Sequence, residues 1–108
     1  MLDDHEFMLG FAVFLMAHAD KTTLIALVDR LRGELDAEPP SSLVAQARHQ
    51  CERLRQALVQ FHAEGLRFAA FTLTRLMQQP GANLRDSTQT AGRQLKEALD
   101  AAGYTSQH

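Results

Sequence analysis

The sequence predicts an all-α protein: an antiparallel four-helix, up-and-down bundle with one long third helix, completed by dimerisation. Three observations lead there. Apolar residues recur at alternating three- and four-residue spacing through most of the chain. Period-two alternation of β-branched and aromatic residues, the mark of a strand, is missing throughout. The segments are punctuated by Pro39-Pro40 and by Pro80-Gly81, which stop helices.

The first helix is expected over residues 4–18, where Asp3 or Asp4 caps exposed amides and acidic side chains meet the positive end of the helix dipole. A second, over 22–37, has Asp20, Thr22 and Thr23 as alternative caps. Its apolar stripe is Leu24, Val28, Leu31 and Leu35, against an outer face of Asp29, Arg30, Arg32, Glu34 and Asp36. The third is capped by Ser41 or Ser42 and runs over 42–78, about 55 Å at 1.5 Å per residue. Its seam is Val44, Ala47, Cys51, Leu54, Leu58, Phe61, Gly65, Phe68 and Thr72. A glycine weakens a helix by roughly 1 kcal/mol relative to alanine without breaking it, so the third helix is expected to continue through Gly65. The rival arrangement folds back there and makes a five-helix monomer. The fourth helix, over 87–102, opens at Asp86 or Ser87 and packs through Thr88, Ala91, Leu95, Leu99 and Ala102. Gly103 supplies its left-handed cap, and Tyr104 to His108 form a frayed tail.

Composition sets the outer bounds. The 108 residues make one domain, 45% hydrophobic, enough for a modest core. The net charge of −2 hides an imbalance, with an acidic excess in residues 1–40 and a basic excess in 41–108, so the two parts attract within one subunit or between two. Neither part is a nucleic-acid footprint, because Arg48, Arg53 and Arg55 are interleaved with Glu52 and lack aromatic companions. The apolar run Phe7 to Ala17 follows an acidic leader, unlike a secretory signal, and is too short to span a membrane. A single cysteine, Cys51, rules out an internal disulfide and reads as a small buried hydrophobe rather than a reactive thiol. A cytoplasmic protein is expected.

Candidate chemistry is sparse. His49 and Glu52 stand three apart, in reverse of the Glu-x-x-His pair of di-iron bundles, but no second pair accompanies them and an ion pair with arginine explains them. Phosphotransfer domains are helical bundles of similar length with His-x-x-Lys-Gly around the acceptor histidine. Here the run is His62-Ala63-Glu64-Gly65, and an acid at that place repels a phosphoryl donor. The serines fall at caps or in the tail, Gly-x-Ser-x-Gly is missing, and the glycines stand singly. No enzyme, cofactor or metal is expected.

What stands out is apolar excess. The first helix is apolar all round, and the end of the third nearly so; such helices must be enclosed on every side. A homodimer supplies the cover, and Leu54, Leu58, Phe61, Phe68, Phe71 and Leu76 are its candidate interface. Alternatively, Phe7, Phe11, Phe14, Met16, His18 and His62 line a pocket for an apolar ligand. The expected function is that of a non-catalytic protein–protein interaction module, a small adaptor or chaperone-like protein. A ligand-binding bundle is the second reading; a metal-dependent or phosphotransfer protein is the third.

Overall fold

The computed structural model describes residues 20–104, and its regular structure there is helical: α1 (Lys21–Asp36), α2 (Ser42–Gln60), α3 (Ala63–Met77) and α4 (Asp86–Ala101). The helix expected over 4–18 lies outside the described residues, as does the tail beyond Tyr104. No described helix is long and apolar enough to cross a membrane.

The first of these helices starts where Asp20 Oδ1 accepts the Thr23 amide at 2.9 Å, a bond that also holds the Asp20 carboxyl below its ordinary range. Leu24, Val28, Leu31 and Leu35, spaced four, three and four, are all buried. Removing one such leucine to alanine costs about 2–5 kcal/mol. α2 is capped by Ser41, whose Oγ accepts the Val44 amide at 3.1 Å, and it buries Val44, Ala47, Cys51, Leu54, Ala57 and Leu58.

The long third helix is not formed. The chain turns at Phe61 and His62, three residues before Gly65, so that residues 42–78 make two helices. Phe61 takes the left-handed conformation (φ 55°, ψ 38°), and the His62 amide closes the end of α2 by donating to the Ala57 carbonyl at 3.0 Å. The imidazole of His62 then opens α3, its Nδ1 accepting the Gly65 amide at 2.9 Å. Gly65 is needed at this place, because a Cβ on it would stand 2.6 Å from Nδ1. The glycine is thus part of the turn without being its hinge.

Folding back changes what each half of the expected seam does. Up to Leu58 its members are buried, whereas Phe61 and Phe68 are exposed. α3 instead buries Leu66, Ala69, Ala70, Leu73 and Leu76, and with this face it packs on α2.

Helix α1 packs on both α2 and α4, while α3 and α4 touch only sparsely. Between α1 and α2 a ladder of ion pairs joins Asp36 to Arg48 (2.6 Å), Arg32 to Glu52 (3.0 Å) and Asp29 to Arg55 (2.9 Å). The acidic and basic parts of the chain therefore meet within one subunit. α4 buries Thr88, Ala91, Leu95, Ala98 and Leu99, with Ala102 half-buried. It begins at Asp86, one of the two residues expected to open it, but Arg85 occupies the cap position without a side-chain bond, and the Ser87 hydroxyl donates to Glu34 Oε2 at 2.9 Å instead of capping. A polar latch ties this end to the end of α1. The buried Glu38 carboxylate accepts from the Thr88 hydroxyl at 2.5 Å and from the Arg85 amide at 2.9 Å, and pairs with Arg85 Nε at 3.2 Å. At the other end Gly103 (φ 85°) follows α4, and the Tyr104 amide donates to the Leu99 carbonyl. Tyr104 packs half-buried against the core and so does not begin a frayed tail.

Candidate functional site

Four large apolar residues of α2, α3 and the turn between them are exposed. Phe61 is 73% exposed, Phe68 59%, Phe71 58% and Val59 46%. Isolated exposed apolar residues are ordinary; here three phenylalanines are exposed on one short stretch of a small chain. Helix periodicity explains their position. With Leu66, Leu73 and Ala70 turned to the core, Phe68 and Phe71 fall on the opposite side of α3. Phe61 is exposed for another reason, since it stands at the left-handed corner. Cations lie over two of the rings: Lys21 Nζ is 4.3 Å from the centre of Phe61, and the Arg75 guanidinium is 5.6 Å from that of Phe71.

Of the six expected interface residues, Phe61, Phe68 and Phe71 are exposed. Leu54, Leu58 and Leu76 are buried within the chain, in contact with its own core. Among the expected pocket residues, Phe7, Phe11, Phe14, Met16 and His18 lie outside the described residues. His62 is exposed, and its Nδ1 is engaged in the helix cap. Cys51 is fully buried, and burial pushes its thiol up to about 12, far from the thiolate that reactivity requires. Glu52 pairs with Arg32 of α1, and among the described residues no three His, Cys, Asp or Glu side chains converge to hold a metal.

A second feature escaped the sequence reading. Where α3 and α4 diverge, a cleft of about 370 Å³ opens between the end of α3, the turn at residues 78–85 and α4. Leu31, Leu73, Met77 and Leu99 give it apolar walls, and Arg93 and Lys96 line it as well. No carboxylate is among the described residues that line it. The turn that holds it open needs two left-handed residues, Gly81 (φ 80°) and Asn83 (φ 54°). Gly92 faces it from α4 and lets Met77 approach, since a Cβ there would be 2.9 Å from Met77 Cε. The sequence signals were Gly81, Asn83 and a glycine in mid-helix, but the cleft depends on how α3 and α4 splay, which periodicity does not encode. A second hollow of about 330 Å³ lies at the opposite end, among Leu24, Leu58, Phe61, Leu66 and Tyr104.

Comparison of the chain with protein-family models, with curated proteins and with solved structures finds no match. The functional reading rests on the site's own chemistry.

Proposed function

We propose that this chain is a non-catalytic helical interaction module of the cytoplasm, a small adaptor or chaperone-like protein that forms an antiparallel bundle and self-associates through apolar helix faces. The observation that supports this most is the exposure of Phe68 and Phe71 on α3 and of Phe61 at the turn before it. Phe61 is the telling residue. A left-handed phenylalanine costs about 1 kcal/mol relative to glycine, the residue that usually ends a helix in this way, and it is exposed rather than packed. Strain kept at an exposed aromatic residue is expected where the ring itself makes contact with a partner. The absolute mass in solution, by light scattering at several concentrations, tests the reading. A mass moving toward twice the 12.0 kDa chain supports it, and a fixed 12.0 kDa at every concentration overturns it.

A second reading is favoured by the cleft between α3 and α4. Apolar walls with Arg93, and with Lys96 shared with Asp100 at 2.8 Å, suit a small ligand with an apolar body and an anionic head that meets Arg93. Decanoate should raise the melting temperature of the chain, and decanol should do so less. Equal effects of the two, or none, would remove the cations from ligand recognition.

A further inference from the structure

The surface of α3 away from the core holds Glu64, Phe68, Phe71 and Arg75, all exposed. At 100° per residue these four fall within an arc of about 60°, opposite Leu66, Ala70 and Leu73. Their order has a particular symmetry. The spacings are four, three and four, the same in either direction about the point between Ala69 and Ala70, with two phenylalanines inside and opposite charges at the ends.

Such a stripe is complementary to itself, but only in one orientation. When a second α3 lies across it antiparallel, Phe68 meets the partner's Phe71 and Glu64 meets the partner's Arg75, twice over by the two-fold axis. A parallel copy sets Glu64 against Glu64 and Arg75 against Arg75, which repel. Both charges are open to this use, since among the described residues neither is in an ion pair. We propose that the Glu64–Phe68–Phe71–Arg75 stripe is a two-fold interface, occupied by a second copy of this chain with the two α3 helices antiparallel. The proposal rests on the self-association reading above and gives it a surface and an orientation.

The size of the patch sets the strength. Each of Phe68 and Phe71 has on the order of 100 Å² left to bury, so the four rings of the pair form a small interface, below the roughly 1,200 Å² of standard stable complexes. A weak dimer in exchange with monomer follows. Phe61 lies apart from this stripe, at the corner before α3, where it lines a hollow with Leu24, Leu58 and Leu66.

Charge exchange on the full chain tests the orientation, with sedimentation over a range of concentrations as the readout and circular dichroism as the check on folding. All four side chains are exposed, so the substitutions leave the core intact. Glu64→Arg alone and Arg75→Glu alone each set like charges in contact at two places and should weaken dimerisation about tenfold. The double variant Glu64→Arg/Arg75→Glu restores both pairs and should return the dissociation constant to near that of the unaltered chain, whereas Phe71→Asp should give monomer. A dimer indifferent to all four changes leaves self-association standing and overturns this stripe. A double variant as weak as the singles overturns the antiparallel pairing. An unaltered chain that stays monomeric overturns the stripe and the self-association reading together, and assigns the phenylalanines to another occupant, such as residues 1–19 or a foreign helix.

Discussion

The Nδ1 atom of His62 accepts the amide of Gly65 at 2.9 Å, and the missing side chain of Gly65 is what lets the imidazole approach. This contact fixes the start of α3 at the point where the chain folds back. His62→Ala should destabilise the protein by about 1 kcal/mol, as loss of a helix cap does. Gly65→Ala should also destabilise, because the clash with the ring outweighs the gain in helix propensity. Urea midpoints decide both; a more stable Gly65→Ala would show that the cap contributes little.

Phe61 should respond in the opposite sense. Phe61→Gly relieves the left-handed strain and should raise stability by about 0.5–1 kcal/mol, even after losing the Lys21 contact. The same change should weaken self-association if the ring is part of the contact surface. A thermal melt together with a sizing experiment separates the two effects.

Glu38 makes the fold sensitive to acid. The Thr88 hydroxyl, followed by the Arg85 amide and guanidinium, holds its carboxyl below the ordinary 4.5, against the opposing effect of burial. The folded state therefore releases this proton more readily than the unfolded chain. The stabilisation is fully present above about pH 4.5 and is lost as pH falls through the lower folded value. Glu38→Gln should lower stability at neutral pH and flatten the decline below pH 4.5, as followed by urea unfolding across that range. An unchanged slope would place the acid sensitivity elsewhere.

Cys51 should be silent toward thiol reagents in the native protein. Its burial and its raised pKa both oppose attack, so Ellman's reagent should label it at least about 100-fold more slowly than in the unfolded chain. Rapid labelling of folded protein would contradict its place in the core.

Much of the fold was readable because three of the helices have unambiguous apolar periodicity. Leu24, Val28, Leu31 and Leu35 form the inner stripe of α1, and Thr88, Ala91, Leu95 and Leu99 that of α4, as their spacing requires. The turn at Phe61 and His62 was not readable in the same way. Neither residue is a helix breaker, and the ring cap formed by His62 depends on Gly65, whose obvious meaning was a flexible point. Two apolar stripes overlap between residues 61 and 77. One continues the seam of α2 through Phe61, Gly65, Phe68 and Thr72; the other is Leu66, Ala69, Ala70, Leu73 and Leu76. The second is buried, because folding back over α2 presents it to the core. The phenylalanines were expected at an interface from excess apolarity, and Phe61, Phe68 and Phe71 are exposed, while the cleft, made by divergence of α3 from α4, left only scattered glycine and asparagine signals.

The position of α1 between α2 and α4 bears on how the chain matures during synthesis. When residues through Met77 have emerged, α1 can already pack against α2, but Leu31 and its neighbours on the flank that receives α4 still lack that helix. That bare flank persists until the last helix arrives. Docking of α4, fastened by Arg85 and Thr88 to Glu38, then completes the packing around α1.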